Sequence, residues 1–239
     1  MNVEHRIAIL ARLGFELSPD CRVLDFGCGA GRCVYDLLDH GFSNACGYDV
    51  KDYLELRDPA DRARFLITDS GQLPFADRSF DLIISDQVLE HVQDQVGMLR
   101  ELHRVMRPGG VALHIFPARY CLLENHIGVP FGGVFGHRWW YKLWAWLGIR
   151  NDFQKGLSAD ETADRNTCYF VGGLNYVSNS CYQVVWQSLG YQWKWFDQEF
   201  LDTCERPRAR LLGRIVRRLP LVCWLNRTFI TRRVFLKKA

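Results

Sequence analysis

The 239-residue chain has no stretch that could span a bilayer: its longest apolar run, Leu219 to Leu225, falls far short of the ~18 residues such a helix needs. It also shows no secretory pattern, because Glu4, His5, Arg6 and Arg12 interrupt any apolar core near the first residue. A cytoplasmic protein is therefore expected. Its nine cysteines are odd in number and scattered, with no Cys-x-x-Cys pair and no Cys/His ligand spacing. That argues against a disulfide framework and gives no ground to expect a metal site. Cys28, inside a glycine-rich loop, reads as a small filler rather than a nucleophile.

Strong net charge is missing too, the formal value being only +3, but the charge is unevenly placed. Eleven of the 30 Lys and Arg residues lie in positions 205–239, together with one of the 27 acids, so a basic tail follows an acidic body. Such asymmetry can mark an anionic partner. With 48% hydrophobic residues, the chain can bury one sizeable core and is expected to form a single domain, 1–239.

The most informative stretch is Val23-Leu24-Asp25-Phe26-Gly27-Cys28-Gly29-Ala30-Gly31-Arg32. Cys21 to Phe26 has a buried-strand pattern and Cys33 to Leu38 the spacing of a helix with one apolar face, so the glycines join a strand to a helix. Glycine there permits positive φ and close approach of backbone N–H groups to a ligand. Open α/β sheets bind nucleotides at this place. The nicotinamide fingerprint needs a third glycine where this chain has Arg32, which disfavours an oxidoreductase. A second strand, Ala45 to Val50, brings Asp49 to a strand tip 18 residues beyond Gly31, where a carboxylate can accept both hydroxyls of a ribose.

Four segments in order carry a resemblance: Asp25 with the glycine loop; Asp69-Ser70-Gly71-Gln72-Leu73-Pro74-Phe75; Asp86-Gln87-Val88-Leu89-Glu90-His91-Val92; and Arg107-Pro108-Gly109-Gly110 before a strand. Residues 1 to about 117 thereby resemble the class I S-adenosylmethionine-dependent methyltransferases, in their small-molecule branch. The resemblance implies S-adenosylmethionine as cofactor. Asp25, Gly27, Gly29 and Gly31 would lie around its amino-acid part, Asp49 and Val50 at the ribose, and Asp69, Ser70, Gln72 and Leu73 toward the adenine. Asp86, Gln87 and His91 would complete the cofactor site. It also implies an α/β fold with a Rossmann-like, doubly wound, seven-stranded sheet, mostly parallel with one antiparallel strand near an edge.

Residues 1–118 would form the cofactor-binding half, 119–177 an inserted cap over the cofactor, and 178–239 the closing helices and strands. The cap is long for a loop, which favours a functional role. In it, Glu124-Asn125-His126 brings an acid and a histidine to one side if the backbone is extended. His126, Glu124 and, before an aromatic cluster, His137 are the candidate catalytic groups. That cluster is expected to be core of the cap.

Arg210, Arg214, Arg217 and Arg218 fall on one helical face and Leu211, Leu212, Ile215, Val216 and Leu219 on another. This is either an ordinary surface helix or peripheral contact with an anionic membrane; nucleic acid is disfavoured for lack of a recognition motif. The expected activity is methyl transfer, at oxygen, to a small-molecule acceptor or a glycan or lipid precursor. The cap is similar to that of bacterial glycan-modifying methyltransferases. The alternative is a cofactor-binding regulatory or scaffold protein without turnover.

Overall fold

The computed structural model describes residues 1–124 and 126–239. In chain order its elements are α1 (Val3–Arg12), β1 (Val23–Phe26), α2 (Arg32–Asp39), β2 (Ala45–Asp49), β3 (Phe65–Ile67), β4 (Phe80–Asp86), α3 (Gln95–Val105) and β5 (Met106–Pro117). Then follow α4 (Arg138–Trp146), α5 (Ala159–Gly173), α6 (Asn179–Ser188), β6 (Tyr191–Trp195), α7 (Asp197–Thr203), α8 (Pro207–Val216), α9 (Pro220–Phe229) and β7 (Thr231–Lys238). The strands form one seven-stranded sheet in the order β3-β2-β1-β4-β5-β7-β6. Pairing is parallel from β3 through β5, and β7 runs antiparallel to both of its neighbours. This is the expected doubly wound sheet, with its reversed strand one place in from the edge.

Helices cover both faces, which is why β1 and β4 can be near-continuously apolar. Strand alternation sends Val23 and Leu82 to one face, where they join Leu10, Val34 and Leu37 of α1 and α2. Leu24 and Ile83 go to the other, against Leu99 and Leu102 of α3 and Trp186 of α6. Arg107-Pro108-Gly109-Gly110, expected to precede a strand, is itself part of that strand, β5, whose Met106 pairs with Phe80. Gly109 takes φ +75, and a Cβ on Gly110 would sit 2.9 Å from the Arg107 carbonyl oxygen, so both glycines are needed at the bend.

Residues 119–177 are not a long irregular loop. They hold α4 and α5, packed on a small core of Ile127, Val129, Tyr141 and Ala163 with Trp140, Trp144 and Phe170 around it. The α5 start carried an unread signal, the capping box of Ser158 and Glu161, in which each side chain bonds the other's backbone N–H. The tail forms two helices rather than one, broken where Pro220 opens α9. The side chains of Arg210, Leu212 and Ile215 lie outside the described residues. Part of the basic tail is neutralised internally: Arg217 pairs with Asp202, and Arg227 and Arg233 with the buried Asp197.

Candidate active site

The strand order reverses between β1 and β4, and the crevice beyond their carboxyl ends is where open α/β sheets take ligands. A cavity of about 820 Å³ lies there, bounded by Gly27, Gly29, Asp49, Val50, Asp69 and Gln87 on the sheet side. His91 and, from the end of α5, Tyr169, Gly172 and Gly173 bound it on the other. Gly27, Gly29 and Gly31 all have positive φ, at +80, +50 and +81. Their reasons differ. A Cβ on Gly27 would collide with the Val88 side chain and one on Gly31 with the Phe65 ring at 2.8 Å, whereas one on Gly29 meets nothing within 4 Å. Gly29 therefore presents bare backbone to the cavity.

Asp49 fixes that loop. One carboxylate oxygen accepts the Gly29 N–H at 2.8 Å, and the other accepts the Val50 N–H at 2.8 Å and the Lys51 N–H at 3.2 Å. Behind the loop, Asp25 is buried. Burial pushes its carboxyl up to about 7; Arg6 works against this, while Asp86 and Asp49 add to it. Asp86 is held by Arg6 at 3.5 Å.

At the other end of the cavity several titratable groups converge. Glu124, fully buried, accepts the backbone N–H groups of His126 and Ile127 through one oxygen, both at 2.8 Å. Its other oxygen accepts the Tyr176 hydroxyl and meets His126 Nδ1, both at 2.7 Å. Burial opposes ionisation of this acid, but the hydrogen bonds and the His126 charge outweigh it, so its pKa falls. For His126 the same contest raises the imidazole pKa: burial lowers it, and the bond and charge of Glu124 win.

His91 Nδ1 faces the Gly173 carbonyl at 2.9 Å. A carbonyl and a carboxylate only accept, so both rings carry their proton on Nδ1 and leave Nε2 as an acceptor. Glu90 is 1% exposed, and neither of its carboxylate oxygens has a hydrogen-bond partner among the described residues. Burial pushes its carboxyl up to about 7. One ligand-type atom from each of Glu90, His91 and His126 falls within 4.8 Å of the others, close enough for the three to hold a metal ion or share a proton.

A second cavity of about 580 Å³ is lined by His126, Ile127, Asn151, Gln154, Arg165 and Asn166. Tyr169 lines both cavities.

Residues 24–114 match the family described as "Methyltransferase domain". Over that stretch the chain resembles the class I methyltransferases. The family's cofactor is S-adenosylmethionine. Over 101 residues the chain is 39% identical to 2-methyl-6-phytyl-1,4-hydroquinone methyltransferase of Synechocystis, covering 40% of this chain and 31% of that protein. Over 103 residues it is 27% identical to the sterol 24-C-methyltransferase ERG6B of Gibberella zeae, covering 40% and 27%. The matched stretch thus spans about a third or less of these relatives. An S-adenosylmethionine-dependent methyltransferase from Mesorhizobium loti shares the fold over 97% of this chain and 96% of its own, with TM-score 0.55 and 16% identity. The [4+2]-cyclase SpnF does so over 98% and 81%, with TM-score 0.53 and 18% identity.

Within the matched stretch, seven of the sequence-predicted cofactor residues line the large cavity: Gly27, Gly29, Asp49, Val50, Asp69, Gln87 and His91. Asp25, Gly31 and Asp86 lie behind that lining. Leu73 is in the buried core with Tyr48. Ser70 and Gln72 are exposed, the Ser70 hydroxyl donating to the Gln72 carbonyl at 2.6 Å. His126 and Glu124 lie together, in a turn closed by the Gly128 N–H on the Glu124 carbonyl rather than in the extended stretch expected. His137 does not join them: it is exposed at the start of α4 and lines neither cavity. Sequence reasoning missed Glu90, Tyr169, Gly172, Gly173 and Tyr176. Glu90 adjoins a histidine it had singled out, but the others sit 82 residues or so away in sequence and carry no local motif.

Proposed function

We propose that this protein transfers the methyl group of S-adenosylmethionine to a hydroxyl oxygen of a small amphipathic acceptor, a glycan or lipid precursor among the candidates. The observation that carries this reading is His126, which is oriented by Glu124, lines the second cavity and packs against His91, a residue that lines the nucleotide-sized one. The residues on hand fit the cofactor. Gly29 offers bare backbone to the cavity, Asp49 stands at the second strand tip where ribose hydroxyls bind, and Val50 and Asp69 lie beside it. Asp25, a buried acid behind the loop, suits an ammonium group.

When bound, the cofactor supplies an electrophilic methyl group on a positively charged sulfur; the protein supplies orientation and takes the proton. The acceptor would enter the second cavity, where the buried Asn166 amide nitrogen has no hydrogen-bond partner among the described residues and can donate to it. His126 Nε2 would take the proton of the acceptor hydroxyl as that oxygen is methylated. Glu124 then stabilises the imidazolium through Nδ1. Tyr169, shared by both cavities, keeps water from the line between them. Placing the acceptor can contribute ~7–11 kcal/mol of barrier reduction. An orphaned buried carboxylate such as Glu90 costs stability, and it supports a catalytic site over a scaffold that only binds the cofactor.

The test is incubation with methyl-labelled S-adenosylmethionine and fractionated bacterial glycans, lipids and small acids, read by mass spectrometry. A product carrying one labelled methyl is expected. Cofactor binding by calorimetry with no labelled product in any fraction would favour the non-catalytic reading, and absence of binding would overturn both.

A further inference from the structure

Helix α9 is amphipathic the wrong way round. Its polar residues turn inward, Asn226 donating to Asp197 and to the Thr231 carbonyl and Arg227 pairing with Asp197. Its apolar residues turn outward: Leu221 is 64% exposed, Trp224 52% and Leu225 41%, and their i, i+3, i+4 spacing puts them on one stripe. Beside it, α8 exposes Leu211 together with Arg214, and Arg218 and Leu219 are exposed in the turn between the helices. Among the described residues no helix is long and apolar enough to cross a membrane.

The stripe continues toward the site. Trp224 meets the Phe229 ring, the Phe229 carbonyl accepts the Leu122 N–H at 3.0 Å, and the Leu122 carbonyl accepts the Phe131 N–H at 2.7 Å. Leu122, Leu123, Phe131, Phe135 and Ile230 are all exposed. Glu124 and His126 follow directly in the chain. A band of exposed apolar residues edged by arginines therefore runs from α9 to the candidate catalytic histidine.

We propose that this band seats the protein on an anionic lipid surface, with Leu221, Trp224 and Leu225 in the headgroup boundary and Arg214 and Arg218 against lipid phosphates. Exposed apolar bands of this kind mark interaction sites. A tryptophan and leucines flanked by arginines match an interfacial helix in particular. The charge complements an anionic leaflet at Arg214 and Arg218, which are exposed beside the stripe, whereas Arg217, Arg227 and Arg233 are paired internally. Delivery of the acceptor from that surface follows only if the function proposed above holds; the attachment itself does not depend on it.

The experiment is co-sedimentation of the full chain with phosphatidylglycerol or phosphatidylcholine vesicles, alongside light scattering without lipid. Binding to the anionic vesicles at low salt is expected, weakened about tenfold or more in Arg214→Gln/Arg218→Gln and by added salt. Leu221→Gln/Trp224→Gln/Leu225→Gln is expected to abolish it while S-adenosylmethionine affinity stays as in wild type, which shows that the variant is folded. Three results would each overturn the proposal: no sedimentation with anionic vesicles, binding unaffected by the triple variant, or a dimer in lipid-free solution that the triple variant dissolves, which would assign the band to a second copy of the chain. Vesicle binding without methyl transfer would leave the attachment standing and count only against the activity.

Discussion

His91 and His126 pack edge to face, 4.9 Å between ring centres and 85° apart, so that two imidazoles from different halves of the chain form one junction. Each ring is held at Nδ1 by a group that only accepts, Gly173 carbonyl for one and Glu124 carboxylate for the other. Their Nε2 atoms are thereby left free to take a proton.

His126→Ala should lower kcat by ~10²–10⁴-fold with little change in S-adenosylmethionine affinity, the range general-base assistance usually supplies. Glu124→Gln should lower it less, since an amide still orients the ring but cannot stabilise its cation. Stopped-assay kinetics beside cofactor calorimetry would separate the two effects. Equal kcat in wild type and His126→Ala would remove the histidine from the mechanism.

The three loop glycines should fail in different ways. Gly29→Val fills space that faces the cavity at φ +50, so it should cost cofactor binding above all. Gly27→Ala and Gly31→Ala push a methyl into Val88 and Phe65, so they should cost folding stability, by about 1–3 kcal/mol. Denaturant melts and cofactor titrations on the three variants would show whether the losses divide this way.

Binding of the cofactor should release a proton near neutral pH. With its carboxyl pushed up to about 7 by burial, Asp25 is partly protonated at pH 7, and a cation placed beside it favours the charged form. Calorimetry in two buffers of different ionisation enthalpy would measure the released proton. Asp25→Asn should abolish the difference between buffers, and an unchanged difference would separate Asp25 from the cofactor.

Stability should fall in mild acid because of His114, which is buried in β5 with Nδ1 2.6 Å from the Ser85 hydroxyl. Burial lowers its pKa to about 4 from 6.5, so the folded state binds fewer protons than the unfolded one between those values. Its contribution is fully present above pH 6.5 and is lost as pH falls toward 4, by as much as about 3 kcal/mol. Denaturation midpoints at pH 7.5 and 5 should diverge less in His114→Gln than in wild type.

The glycine loop, the strand-tip Asp49 and the alternation of β1 and β4 could be read directly from the sequence, because each depends on local spacing: where φ must be positive, where a strand ends, which face a residue takes. The pairing of Glu124 with His126 was legible for the same reason, both lying within three positions. Packing decided the rest. Gly172, Gly173 and Tyr169 reach the large cavity only because α5 folds back over the sheet, and Tyr176 reaches Glu124 across 52 residues. His137 lay beside the same aromatics in sequence yet faces solvent, since α4 turns Tyr141 and Ala145 inward instead. The outward stripe of α9 could not be told from an ordinary buried face by periodicity, which fixes that a helix has two sides; only the contacts with Asp197 determine which side meets the protein.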